Sequence, residues 1–369
     1  MIEQNKWPAE PPWSDEDSRR TDLVHHLLGW YEEHQRPLPW RLTRQPYYIW
    51  VSEVMAQQTR IETMLPYYHR FLSVFPTIQM LAESPLDRLL ALWSGLGYYR
   101  RAENMHRTAK IIMEQHDGRL PESARALRSL PGIGDYIAGA IASIAFGKRE
   151  AAVDGNVKRV VARLQGIREP FQSNSLRKMA EEWVLQVMPE GKAGSFNQAL
   201  MELGALVCIP KNPQCTACPV AIHCVAHHLQ MVDELPVRSE RSRPAEEMKT
   251  VVLVMKDDHH VLMRKRNASL LRELWEYVFL DGHMEPEDLE KELLLMDIHV
   301  QNLVQVGTAR HVFSHRIWNM ISYAAYWTGG EIAGEYIFHP VDQLHMLALP
   351  AAFRSQTDWL TRKSGEGTE

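Results

Sequence analysis

All four cysteines of this 369-residue chain, Cys208, Cys215, Cys218 and Cys224, fall within seventeen residues, spaced C-x6-C-x2-C-x5-C. Any fold must therefore gather four thiols into one compact loop at the end of a helix. Two disulfides would use all four. The opening residues, MIEQNKWPAEPPWSDEDSRR, carry no apolar stretch of the secretory kind, which argues instead for thiolate ligands to a metal. A structural zinc site usually shows two close cysteine pairs, and only one is present here. Four thiolates in one loop suit a [4Fe–4S] cluster, with structural zinc as the alternative. In either case every ligand position is a protein thiolate, so no position is open to substrate.

The rest of the chain divides around that loop. A length of 369 residues suggests two domains at roughly 150 residues each. Helical periodicity runs from Thr21 to His34 (Leu23, Leu27, Leu28, Trp30, Tyr31), and two prolines in RPLPWR follow it. Two further helices are read in the stretch after Ile49, broken at Gln58–Thr59 and again before Pro66. Ser84 is expected to cap a helix with Pro85 at its first position, ending at Gly95 and Gly97. Helices are also expected over 102–115, from Ser123, from Asp135, over 156–164 (Val157, Val160, Val161, Leu164 on one face), over 173–188 and over 195–207. The expected architecture is a polar extension (1–20), an all-α domain (21–235, including the 208–224 loop), and a charged linker (236–247). The runs TVVLVMK, HVLMRKR, LVQVGTA and RIWNMISYAAYW, with a helix at 286–296, then make 248–369 an α+β domain. No window of about 20 apolar residues suggests a membrane span, and the expected location is the cytosol or nucleoid.

The net charge of −5 argues against a uniformly basic nucleic-acid binder, but it conceals an asymmetry. Residues 51–200 hold 19 Lys and Arg against 15 Asp and Glu (+4), whereas residues 251–369 hold 11 against 17 (−6). A local DNA footprint on the helical half is compatible with that division. Within it, Pro131, Gly132, Ile133 and Gly134 break the chain at a helix N-terminus, a corner whose backbone N–H groups suit one phosphate without reading any base. Asp154 fits an N-cap for the helix after it. Glu53 lies among Trp50, Val51, Val54 and Met55, a dry setting that raises a carboxyl pKa as a general acid requires.

Together, the Gly-x-Gly corner, Asp154 and the cysteine spacing resemble the helix-hairpin-helix DNA glycosylase superfamily. The segments WVSEVMAQQT, GLGYYRRA, VDGNVKRV and ELGALVCIP resemble its adenine DNA glycosylase (MutY) branch, across nearly the whole of 22–235. The resemblance implies a [4Fe–4S] cluster and an enzyme of base excision repair. Its DNA partner is a duplex carrying adenine opposite 8-oxoguanine or guanine; apart from the resemblance, a monomer on DNA is the simplest expectation, with no membrane partner. By motif position it implies Glu53 as the acid that protonates adenine N7 and Asp154 as the carboxylate that stabilises the oxocarbenium-like sugar, with Tyr136 and Asn156 beside them. Trp40, Arg41 and Gln198 match the adenine pocket, and Gln58, Thr59 and Tyr98 match residues at the opposing base. Lyase members carry a lysine where this chain has Tyr136, so water is the expected acceptor, and Lys148 is a poor substitute. A bifunctional glycosylase/lyase and a lesion-binding protein without turnover are the competing readings. The family leucine is replaced by Ala56, a smaller apolar contact for the flipped base. The C-terminal domain resembles the Nudix-like module that reads 8-oxoguanine, with Phe313, Ser314 and His315 matching its F-S-H loop. The R-E-x-x-E-E ligands of a working Nudix hydrolase are missing, so no diphosphohydrolase activity is expected.

Overall fold

The computed structural model describes residues 15–238, 243–332 and 334–366. Residues 1–14 of the expected extension and 239–242 of the expected linker lie outside the described residues. The helices in order are α1 (Glu16–His34), α2 (Pro46–Ala56), α3 (Ile61–Val74), α4 (Ile78–Glu83), α5 (Leu86–Trp93), α6 (Arg100–Gln115) and α7 (Ala124–Arg128). They continue with α8 (Asp135–Ile144), α9 (Gly155–Gln165), α10 (Asn174–Val187), α11 (Ala193–Leu206) and the short α12 (Val225–His228). Strands β1 (Ala245–Asp257), β2 (His260–Lys265), β3 (Trp275–Glu276) and β4 (Val278–Asp281) follow. Helix α13 (Pro286–Leu295), β5 (His299–Val312), β6 (Arg316–Gly329), β7 (Tyr336–Pro340) and α14 (Arg354–Glu366) complete the described chain. Packing divides it into two units: Met1–Ile61, Phe75–Ala82 and Arg107–Glu240, and Glu62–Val74, Glu83–His106 and Arg241–Glu369.

The first unit is helical because its apolar residues recur at helical spacing and its caps are in place. Leu23, Leu27 and Leu28 of α1 meet Val157, Val160, Val161 and Leu164 of α9 and Phe196, Leu200 and Leu203 of α11 in one core. Burying each such side chain contributes about 1.5–3 kcal/mol. Two caps, Ser123 and Asp154, lie where the sequence puts them, and Ser173 supplies a third that the sequence reading places inside its helix. Ser123 accepts from the Ala126 N–H, Ser173 from Leu176, and Asp154 from Val157. Gly139 of α8 admits no side chain, because a Cβ there would stand 1.9 Å from the Ala151 carbonyl oxygen. That contact seats the segment leading to Asp154 directly on the helix that carries Tyr136.

Four expectations need correction. Helix α1 starts at Glu16 rather than Thr21, since Asp15 caps it by accepting from the Ser18 N–H and two acidic residues occupy its first turn. Pro66 lies inside α3 without breaking it. Proline there forgoes only the bond to the carbonyl of Glu62, an exposed residue whose carbonyl water can satisfy. Ser84 does not cap α5: Pro85 holds the N-cap position, while the Ser84 carbonyl pairs with Nε2 of buried His106 at 2.8 Å. Strand β1 begins at Ala245, inside the expected linker, because its register with β6 extends that far and Glu247 meets Arg316 and the Trp318 indole at 3.0 Å.

In the second unit the strands form one seven-stranded sheet in the order β3-β2-β1-β6-β5, with β4 on β1 and β7 on β2. The central pair β1 and β6 is parallel and the other pairs are antiparallel. Strand β1 is buried on both faces. Val251, Leu253 and Met255 face Phe353 and Leu360, and Val252 and Val254 face Leu289 and Leu293 of α13. The period of two that places them so is the strand's own.

Candidate active site

Helix α2 is buried on almost every side, from Tyr47 to Met55, and packs on α8. Glu53 projects from it and is 7 % exposed. The Tyr136 phenol, from the second residue of α8, donates to Glu53 Oε2. Burial pushes the Glu53 carboxyl up to about 7; the Tyr136 hydrogen bond and the Arg41 charge oppose this, and the Asp154 charge adds to it. The Tyr136 phenol is itself held well above its ordinary value by burial and the two carboxylates, so it remains a donor.

Asp154 has two roles at one position. Oδ1 accepts from the Val157 N–H at 2.7 Å and so caps α9, while Oδ2 accepts from the Asn156 amide at 2.9 Å. Burial raises its pKa against these two donors and the Arg159 charge. Arg159 donates to Asn156 Oδ1 at 2.9 Å, to the Gly204 carbonyl at 2.7 Å and to the Cys208 carbonyl at 2.7 Å. The first of these turns the Asn156 amide nitrogen toward Asp154. Glu53, Tyr136, Asp154 and Asn156 are thus brought together from three helices. Lys148 is not among them; it pairs with Glu122 at 2.9 Å on the loop after α8.

Trp40, Arg41 and Gln198 line a common cavity of about 310 Å³, with Tyr31, Arg44 and Lys192. Glu53 and Asp154 lie outside its lining. The Tyr31 hydroxyl donates to Gln198 Oε1 at 3.2 Å. Behind this wall stands Glu202, which the sequence analysis did not single out. Its fully buried carboxylate accepts from both Arg36 and Arg41, at 2.7 Å for the closest contact of each. Burial alone would raise its pKa; the Arg41 and Arg36 guanidiniums and the Arg36 N–H hold it down at about 2. The available signal was its spacing, one helical turn beyond Gln198.

Gln58 is exposed at the corner after α2 with φ of +57°, and Thr59 beside it bonds the Ala56 carbonyl through its N–H at 3.2 Å. Ala56 is the last residue of α2. At the glycine corner Gly132 takes φ of +76°, Gly134 is the N-cap of α8, and the Ile133 N–H is committed to the Leu130 carbonyl at 3.2 Å. In the second unit Tyr98, exposed with φ of +51°, places its hydroxyl 2.8 Å from Ser314 Oγ. Phe313 packs edge-on to Trp318 at 4.8 Å, and His315 is exposed in the same turn between β5 and β6.

The four cysteines, none of them in a disulfide, surround one pocket floored by Val160, Leu164, Leu203, Val207 and Val220. No three of the sulfurs lie within 4.8 Å of one another. One tetrahedral zinc, with bonds of about 2.3 Å, would draw them to about 3.8 Å. Four thiols around one pocket are the donor set that a [4Fe–4S] cluster would take. Arg163 adds a donor, with Nη1 3.4 Å from Cys208 Sγ.

Residues 51–186 match the family described as HhH-GPD superfamily base excision DNA repair protein, and residues 250–358 match a NUDIX domain. The adenine DNA glycosylase of Buchnera aphidicola subsp. Baizongia pistaciae (strain Bp) is 36 % identical over 259 residues, covering 69 % of this chain and 73 % of that protein. The chain belongs to the adenine DNA glycosylase family. Its relatives include the Buchnera aphidicola subsp. Schizaphis graminum (strain Sg) enzyme, 34 % identical over 78 % of this chain and 83 % of that one. The human enzyme is 33 % identical over 78 % of this chain and 64 % of its own length. Among solved structures, a thermostable thymine-DNA glycosylase matches 58 % of this chain and 98 % of its own at 28 % identity, with a TM-score of 0.52. Membership makes the protein a DNA glycosylase of base excision repair, with a helical glycosylase domain and a Nudix-like domain. Among the described residues no helix is long and apolar enough to cross a membrane.

Proposed function

We propose that the protein hydrolyses the N-glycosidic bond of adenine paired with 8-oxoguanine, and of adenine paired with guanine, in double-stranded DNA. It acts without lyase activity and leaves an abasic site. The observation that carries this reading is the buried Glu53, bonded to Tyr136 and near enough to Asp154 to feel its charge, with a phenol where a lyase would need an amine. Protonated Glu53 gives its proton to adenine N7, and the C1′–N9 bond breaks with its electron pair leaving on the base. Asp154 stabilises the cationic sugar. The carboxylate left on Glu53 takes a proton from the water that adds to C1′. Tyr136 keeps its own proton and occupies Oε2, which leaves Oε1 for the transfer. Asn156 holds Asp154 in place.

Before this chemistry the adenine must leave the stack. In this reading Trp40, Arg41 and Gln198 receive it, Gln58, Thr59 and Tyr98 act at the base opposite, and Phe313, Ser314 and His315 read 8-oxoguanine. Gly132 and Gly134 offer backbone N–H groups to a phosphate, with Ile133 buried between them. Cys208, Cys215, Cys218 and Cys224 hold a [4Fe–4S] cluster, which supplies cross-linking of the loop to α11 rather than a reaction step. We place the glycosylase domain at 21–235 and the Nudix-like domain at 248–369, in a monomeric protein of the cytosol. Glu53→Gln tests the assignment: adenine release under single-turnover conditions should fall by at least about 10³-fold while duplex binding persists, and retained release would remove Glu53 from its role.

A further inference from the structure

Helix α11 presents Gln198 and, one turn later, Glu202 on the same face. Glu202 accepts five hydrogen bonds. Three reach Oε1, from the Arg36 N–H (2.9 Å), Arg36 Nε (3.0 Å) and Arg41 Nη1 (2.8 Å), and two reach Oε2, from Arg36 Nη2 and Arg41 Nη2 (each 2.7 Å). One fully buried carboxylate thus grips two guanidiniums bidentately, a geometry that fixes both planes. Arg41 is held further by the Tyr31 ring, 5.5 Å from its guanidinium carbon, and by the Arg36 carbonyl at 3.1 Å.

We propose that Glu202 is a positioning residue for base removal: it fixes Arg41 on the cavity wall and, with Arg36 bound to the same carboxylate, screens the Arg41 charge from Glu53. The proposal rests on the reading of Glu53 as the acid. The charged and titratable groups that act on Glu53 are Tyr136 from α8, Asp154 from the start of α9, and Arg41 from the turn at Pro39–Arg41. Arg41 is the cation in that set, and a cation close to a carboxyl favours loss of its proton. With Glu202 ionised, the two arginines and one carboxylate sum to a single positive charge; with it neutral, they sum to two. Glu202 thereby keeps Glu53 able to hold a proton at neutral pH while Arg41 stays in the wall.

The test is the pH profile of single-turnover adenine release from an adenine:8-oxoguanine duplex, between pH 5.5 and 9, for the full chain, Glu202→Gln and Arg41→Gln. The alkaline limb of Glu202→Gln should move down by about one pH unit. Its rate then falls by roughly tenfold at pH 8 and approaches that of the unaltered protein near pH 5.5. Arg41→Gln should move the limb up. A purely structural Glu202 would lower the rate equally at every pH with the limb unmoved, and that overturns the proposal, as does a downward shift in Arg41→Gln. If Glu202→Gln does not fold, the Arg41→Gln limb decides alone: upward supports, unmoved overturns. An unaltered protein with no alkaline limb would contradict the acid role of Glu53 itself, a separate failure.

Discussion

Replacing Glu53 by glutamine should stabilise the protein, and by an amount that grows with pH. The buried carboxyl is raised from 4.5 to about 7, chiefly by burial. Folding therefore holds its proton more tightly than the unfolded chain does. The contribution of Glu53 is at its most favourable below about pH 4.5 and is lost as pH rises through about 7. The interval of about 2.5 pK units, at about 1.36 kcal/mol each, corresponds to roughly 3 kcal/mol between the two limits. Glutamine copies the neutral acid in shape and cannot ionise, so it escapes that loss. Between pH 5 and pH 8.5 the melting-temperature advantage of Glu53→Gln should widen by roughly 5–10 °C, given about 2–4 °C per kcal/mol for a domain of this size. Thermal melts of both proteins, loaded identically and scanned at the same rate at pH 5, 7 and 8.5, measure it. A constant offset across that range would refute the reasoning, because it would mean that Glu53 is solvated in both states. A decline in offset would mean that Glu53 is stabilised as the anion.

Two other substitutions probe the same site. Tyr136→Phe removes the hydrogen bond that pulls Glu53 down, so the alkaline limb of adenine release should move to higher pH; a limb that moves down would deny the bond its direction. Gly139→Ala places a methyl group against the Ala151 carbonyl, which must displace the segment leading to Asp154. It should cost on the order of 1–3 kcal/mol and lower the release rate, and an unchanged melt would show that this segment is free to yield.

The helical half was legible where local rules decide. The Leu23–Leu27–Leu28 stripe, the Val157–Leu164 face and the Ser123 and Asp154 caps depend on residues within one or two turns of one another. The dryness of Glu53 could also be read from its neighbours on α2. Tertiary contacts were not legible. Ser84 resembles a cap, but its carbonyl faces His106. The partners of Glu202 lie 161 and 166 residues away, so nothing near MELGA announces that this acid anchors two arginines. Strands β3, β4 and β7 span two to five residues each, too few to show a period of two, and their pairing partners alone define them.

Removal of adenine by hydrolysis, with the strand left whole, is separated from lyase chemistry by one assay. An adenine:8-oxoguanine duplex labelled on the adenine strand is mixed with excess protein, and each time point is divided and analysed with and without alkali. Hydrolysis gives a cleaved strand after alkali treatment, an intact strand without it, and free adenine in equal yield. Breakage without alkali that tracks base release would assign lyase chemistry, and an absence of adenine release would leave a protein that binds the lesion without turning it over.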